Sequence, residues 1–154
     1  MGLKRFLITA ILLFPGILFS QKYDQSTIDK FIDQWHRDAA NVDMEAYFDK
    51  IAEDGIFIGT DETEVWTKQA FYEWSKPHFD KGKTWDFKAY ERNIYFSKDK
   101  KQAWFDEKLK TSSIPLRGSG VLILDKKGIR IKHYVLSVMV PNEKYSKVAD
   151  IIGE

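Results

Sequence analysis

The feature that most limits what this chain can fold into is a change of hydrophobic period near its middle. Before Pro77 the apolar residues recur every three or four positions, whereas after Thr84 they alternate. In "STIDKFIDQWHRDAANVDMEAYFDKI", Ile28, Phe31, Ile32, Trp35 and Ala39 form one helical stripe, with Ser26 or Thr27 available to cap it. A break is expected at Asn41 to Asp43, then a second short helix carrying Tyr47, Phe48 and Ile51. "GIFIGTD" reads as a short strand, and "TKQAFYEWSKPHF" as a third helix that Pro77 should end. "TWDFKAYERNIYFS", "KQAWFDEKLKT", "RGSGVLIL" and "IRIKHYVLSVMV" then read as four strands in two hairpins, with a bulge expected between Phe87 and Ile94. The final "NEKYSKVADIIGE" reads as a tail. Helices followed by a run of hairpin strands give an α+β fold, with N-terminal helices packed in one strongly curved antiparallel sheet.

The first twenty residues stand apart. Lys4 and Arg5 precede the 14-residue apolar run "FLITAILLFPGILF", and Ser20 supplies a small residue before Gln21. That run is short for a transmembrane helix and has the layout of a secretory signal cleaved near Ser20–Gln21. The expectation is an exported protein, periplasmic or secreted, with one domain over residues 21–154 and no membrane association after cleavage. That domain holds 22 basic and 23 acidic residues, a charge of −1, which argues against nucleic acid or an anionic membrane as partner. With no cysteine, thiolate chemistry and cysteine-based zinc sites are excluded. An aromatic content of 15% points to a large core, a ligand cavity, or both.

Gly118 and Gly120 are spaced like part of a phosphate loop, but they precede an aliphatic strand and no helix follows, so a nucleotide site fails on context. Glycine within a strand marks a bend, a bulge or a close approach. Two registers are open for the last hairpin. A three-residue loop pairs Val121 with His133 and Arg117 with Ser137; a two-residue loop pairs Gly120 with His133 and Arg117 with Leu136. In either, Arg117 lies near the far end of the last strand, as a solvated outer-face charge or as an anion anchor on a cavity floor.

The stretches "FIDQWHRDAANVDMEAYFDKIAEDGIFIGTD", "KPHFDKGKTWDF", "AWFDEKL", "RGSGVL" and "HYVLSVMVPNE" together resemble SnoaL-like domains of the nuclear transport factor 2-like superfamily, over about residues 26–143. The resemblance implies a cone in which a curved sheet and three helices enclose a pocket, usually as a homodimer formed through the sheet. Relatives include polyketide cyclases, ketosteroid isomerase, scytalone dehydratase and non-catalytic scaffolds, so the fold does not settle the function. It also implies that Arg117, Trp104, Asp106 and Glu107 matter to the domain. Two departures, Ile129 where tryptophan is usual and Val135 where a polar residue is common, weaken the case for retained catalysis.

Enzymes of this fold use a pocket carboxylate as general base together with a hydrogen-bond donor. Asp106 and Glu107 are adjacent in a strand and must face opposite ways. Asp106 is expected inside with Trp104 as a wall; Glu107 is inside instead if Phe105 and Leu109 pack the core. His133 is expected beside Ile131 on an apolar face. The catalytic candidates are therefore Asp106 and His133, and the candidate ligand contacts Arg117, Trp104, Tyr47, His36 and Glu107. His36, His78 and His133 share no metal-ligand spacing, so neither metal nor cofactor is expected. The expected partners are a small, partly apolar organic ligand and a second copy of the chain, because apolar residues on both faces of the last strand need two coverings. The alternatives are an isomerase, cyclase or dehydratase, or a dimeric scaffold.

Overall fold

The structure is a computed structural model that describes residues 23–153; the expected signal and its cleavage point lie outside the described residues. Helix α1 (Gln25–Ala40) is capped by Asp24, two or three residues earlier than Ser26 or Thr27 would give, its carboxylate accepting from the Thr27 backbone N–H at 2.7 Å. The predicted stripe faces inward: Ile28, Ile32, Trp35 and Ala39 are buried. Helix α2 (Met44–Asp49) is capped by Asp43, and Lys50 beyond it reaches back to Asp38 on α1. Ile51 belongs to the next strand rather than to α2. Helix α3 (Lys68–Asp80) runs on past Pro77. Proline there forfeits the bond to the carbonyl one turn back and crowds that carbonyl, but on the solvent face, while Phe79 is drawn into the core and Lys76 pairs with Asp80.

Six strands, β1 (Ile51–Ile58), β2 (Val65–Thr67), β3 (Lys88–Phe96), β4 (Gln102–Lys110), β5 (Leu116–Asp125) and β6 (Gly128–Val138), form one sheet in the order β2-β1-β6-β5-β4-β3. The two expected hairpins are present, and β1 joins them by pairing parallel to β6. The expected bulge in β3 falls at Tyr90, between the Ala89–Leu109 and Glu91–Lys108 pairs.

The last hairpin combines both of the registers open to it from the sequence. Its loop has two residues, with Asp125 opposite Gly128 and Leu124 opposite Ile129, but the pairing slips by one between Leu122–Ile131 and Val121–His133. Lys132 is the extra residue. Beyond this bulge Arg117 pairs with Ser137, and every β6 side chain after Lys132 faces opposite to what simple alternation from Ile131 predicts. Ile131, Tyr134 and Leu136 are buried, whereas His133 and Val135 turn to the outer face.

The residues after Pro141, read from the sequence only as a tail, form a 3-10 turn (Asn142–Lys144) and helix α4 (Tyr145–Ile152). Tyr145, Ile151 and Ile152 are exposed along α4. The core lies between the concave sheet face and α1 to α3, built on Trp35, Tyr47, Phe48, Phe57, Phe71, Phe105 and Tyr134.

Candidate functional site

Two features stand out inside the cone: a buried polar network and an aromatic cleft. The network centres on Glu107 in β4, which is 1% exposed. Strand alternation puts it on the concave face with Phe105 and Leu109, and its two oxygens are shared among three donors. His36 Nε2 from α1 and the Tyr134 hydroxyl from β6 each approach Oε1 at 2.8 Å, and Arg92 Nε from β3 donates to Oε2 at 2.9 Å. An ionised carboxylate only accepts, so His36 Nε2 carries the proton in this contact. Arg92 Nη2 stands 2.8 Å from Glu107 and 2.9 Å from Asp33, at charge-pair distance but without hydrogen-bond alignment, and Nη1 donates to Asp29.

Burial by itself would push the Glu107 carboxyl up. The His36 hydrogen bond and charge, the Arg92 charge and the Tyr134 hydroxyl outweigh it and hold the group below the usual carboxylate value. Burial, reinforced by the Glu107 charge, pushes the Tyr134 phenol well up. Gly118 faces this network: a side chain there would collide with the Tyr134 hydroxyl and lie 2.9 Å from Glu107 Oε1. At Gly120 a Cβ would lie 2.7 Å from the Phe105 ring. The two glycines of "RGSG" therefore make room for packed side chains, and neither opens a cavity beside Arg117.

The cleft, of about 210 Å³, lies beside this network. Phe57 of β1, Phe71 and Trp74 of α3, Trp66 of β2, Trp85 and Phe87 before β3, and Leu116 and Leu136 line it, with Gly59, Thr60 and Glu64 from the β1–β2 connection. The rings lie nearly parallel: Phe57 stacks on Phe71 at 4.0 Å between centroids, and Trp66 on Phe71 at 5.4 Å. Trp74 stands 4.8 Å from Trp66 and 6.4 Å from Trp85. The Thr84 hydroxyl donates to the Ala39 carbonyl at 2.6 Å, anchoring the segment that carries Trp85 to the end of α1. A wider groove, lined by residues 84–88 and 110–114 together with Leu116, adjoins the cleft across Trp85, Phe87 and Leu116 and carries Asp86, Lys88 and Lys110.

Several residues expected in a pocket stand elsewhere. Asp106 turns to the outer face, where it accepts from Asn93 Nδ2 at 3.1 Å, because Phe105, Glu107 and Leu109 take the concave side. Trp104 shares that outer face, 46% exposed and stacked on Tyr95. Arg117 is exposed between Lys108 and Ser137, on the side away from the cleft. His133 is carried outward by the Lys132 bulge. Glu107 and His36 do meet, and Tyr47 is buried against Trp35 at 5.0 Å, but none of the three lines the cleft. Sequence reasoning missed Arg92, Tyr134 and Glu64. The signal for Arg92 was its place directly opposite Glu107 across the β3–β4 pair. Among the described residues no group of three acidic or histidine side chains converges to hold a metal.

Similarity to known structures agrees with this architecture. A cystatin-like domain of unknown function from Nostoc punctiforme PCC 73102 superposes with a TM-score of 0.65 at 17% identity, covering 85% of this chain and 86% of its own. An NTF2-like protein from Cytophaga hutchinsonii ATCC 33406 gives 0.63 at 14% identity, covering 76% and 100%. One from Pseudomonas putida KT2440 gives 0.62 at 12%, covering 77% and 89%. At these identities the likeness speaks for the fold alone. No curated protein matches the sequence significantly. The profile of the SnoaL-like domain matches residues 28–141, nearly the whole described domain, and the chain belongs to that family within the nuclear transport factor 2-like superfamily.

Proposed function

We propose that this protein is an exported binding domain that holds a small, flat, largely apolar organic molecule in the aromatic cleft. The observation that carries this reading is the wall of near-parallel rings from Phe57, Trp66, Phe71, Trp74 and Trp85 around a space of about 210 Å³. Small-molecule sites commonly span roughly 300–1,000 Å³, so a guest of one or two rings suits this one. Export rests on the basic and apolar N-terminal segment.

Proton-transfer catalysis of the isomerase or cyclase kind has less support. A general base needs a free lone pair and a carboxyl whose pKa is raised or left near normal. Glu107 has its oxygens occupied by His36, Tyr134 and Arg92, and its pKa is lowered.

Native mass spectrometry of the exported protein, purified without denaturation, tests the binding reading. A discrete mass adduct is expected, lost when Trp85→Ala opens one wall of the cleft. An adduct that survives Trp85→Ala and Trp74→Ala together would place the ligand elsewhere, and no adduct with no response to aromatic probes would favour a scaffold.

A further inference from the structure

We infer that the cleft selects organic cations, with the Glu64 carboxylate as counter-charge and the tryptophan faces as the cation's walls. This rests on the cleft being a binding site and names the class of molecule it takes. Glu64 is the only ionisable side chain among the residues lining the cleft, so a guest there meets one negative charge and no positive one. Its backbone is fixed by the turn that presents it: Gly59 N–H donates to the Glu64 carbonyl at 2.9 Å, and Glu64 N–H to the Asp61 carbonyl at 3.0 Å. The Asp61 carboxylate in turn accepts from the Thr63 N–H at 2.9 Å and from its hydroxyl.

Gly59 decides where the carboxylate sits. A Cβ at that buried position would overlap the Glu64 carboxyl group, so the missing side chain is what lets Glu64 lie against β1 in the cleft wall. The carboxylate is also left underused. It accepts one long hydrogen bond, from the Asp61 N–H at 3.3 Å, and no lysine, arginine or histidine pairs with it among the described residues. Elsewhere on the surface acidic groups do find cations, as Glu53 does with Lys68 and Glu91 with Lys108.

A half-buried carboxylate in a cleft lined by three tryptophans suits an ammonium. The carboxylate supplies charge and a hydrogen-bond acceptor, and the ring quadrupoles attract a cation at about 6 Å or less, most strongly from tryptophan. Partial desolvation by the apolar walls strengthens both terms. An anionic guest would have to seek Lys88 or Lys110 in the neighbouring groove, and Lys88 is already paired with Asp86.

The test uses three matched probes, 2-phenylethylammonium, 2-phenylethanol and phenylacetate, titrated at low ionic strength into the purified protein and followed by tryptophan emission. The expected result is that the ammonium binds at least about tenfold more tightly than the alcohol, with phenylacetate weakest. Glu64→Gln, which can still accept from the Asp61 N–H, should bring ammonium and alcohol to within about twofold, with an unchanged melting temperature. Gly59→Ala should also reduce the preference, by displacing the carboxylate without removing its charge. If all three probes bind alike, the cleft stands as a binding site and its selectivity for cations is refuted. Preference for phenylacetate, or a preference for the ammonium that survives Glu64→Gln, also overturns it. If no probe perturbs the emission, the binding cleft itself is wrong and this inference falls with it.

Discussion

Replacing Glu107 by glutamine keeps the size of a fully buried side chain and removes only its charge and one acceptor, which makes it a sharp test of the polar network. Whichever way the amide turns, an NH₂ group must face a donor: Arg92 Nε on one side, or His36 Nε2 and the Tyr134 hydroxyl on the other. The less costly orientation puts the amide oxygen toward Arg92, because the tyrosine hydroxyl can rotate to accept and the histidine can change tautomer. Arg92 would then keep Asp29 and Asp33 as ionic partners. Breaking a buried ion pair costs about 3–5 kcal/mol, and a hydrogen bond to a charged group is worth about 1.5–3. Discounting for the partners Arg92 retains, the loss should be about 2–4 kcal/mol, a large share of the roughly 5–15 kcal/mol that holds a domain together. The assay is urea denaturation, read as a lower midpoint at unchanged slope. Its pH dependence has a definite sign. The Glu107 carboxyl is held below its ordinary value in the folded state, so the wild-type advantage is complete above the unfolded value, near 4.5, and is lost as pH falls through the folded value. A difference under about 1 kcal/mol at neutral pH, or one that grows on acidification, would refute the stabilising role of the network.

Three further outcomes are expected. Arg117→Met should change stability by less than about 0.5 kcal/mol and leave probe binding in the cleft unaltered, since Arg117 is exposed on the outer face; a loss of binding would return it to the site. That outer face also carries Trp104 and Tyr95, both exposed and stacked on each other, and we expect it to be the homodimer surface. Sedimentation should then show a dimer that Trp104→Lys dissociates, and a wild-type monomer would end that reading. N-terminal sequencing of the protein recovered from outside the cytoplasm should begin near Gln21, and a chain beginning at Met1 would contradict cleavage.

The change of period near Pro77 made the order of helices and hairpins legible, because burial on one face leaves a repeating trace in composition. What escaped was set by single residues. The choice between Asp106 and Glu107 turned on which neighbours pack the core. Trp104 looked like a pocket wall, but it is Phe105 and Leu109 that are buried, so the whole of β4 faces the other way. In β6 one extra residue at Lys132 reverses the facing of all that follows, and apolar residues on both sides of it leave the alternation equally good either way. Arg92 reads as an ordinary outward charge until β3 is paired with β4 and Glu107 stands opposite. The cleft was less legible still. Its rings come from β1, β2, α3 and the segment before β3, and nothing in their local spacing separates a wall from a core.

The two interior features also divide the work of the fold. Glu107 joins α1, β3, β4 and β6 through charge-assisted bonds whose loss leaves buried groups without partners, so it acts on stability. Glu64 sits in a turn and shares none of those partners, so neutralising it should leave the described core intact and change only what the cleft prefers. Sites without common partners contribute additively, usually to within about 0.5 kcal/mol. The double variant Glu64→Gln, Glu107→Gln should therefore show the denaturation midpoint of Glu107→Gln and the probe selectivity of Glu64→Gln. If Glu107→Gln alone erased the preference for the ammonium while the protein remained folded, the two features would be coupled through the Tyr134–Phe57 contact at 5.5 Å. The buried carboxylate would then be setting the field that the guest feels, and Glu64 would not be the counter-charge of the cleft.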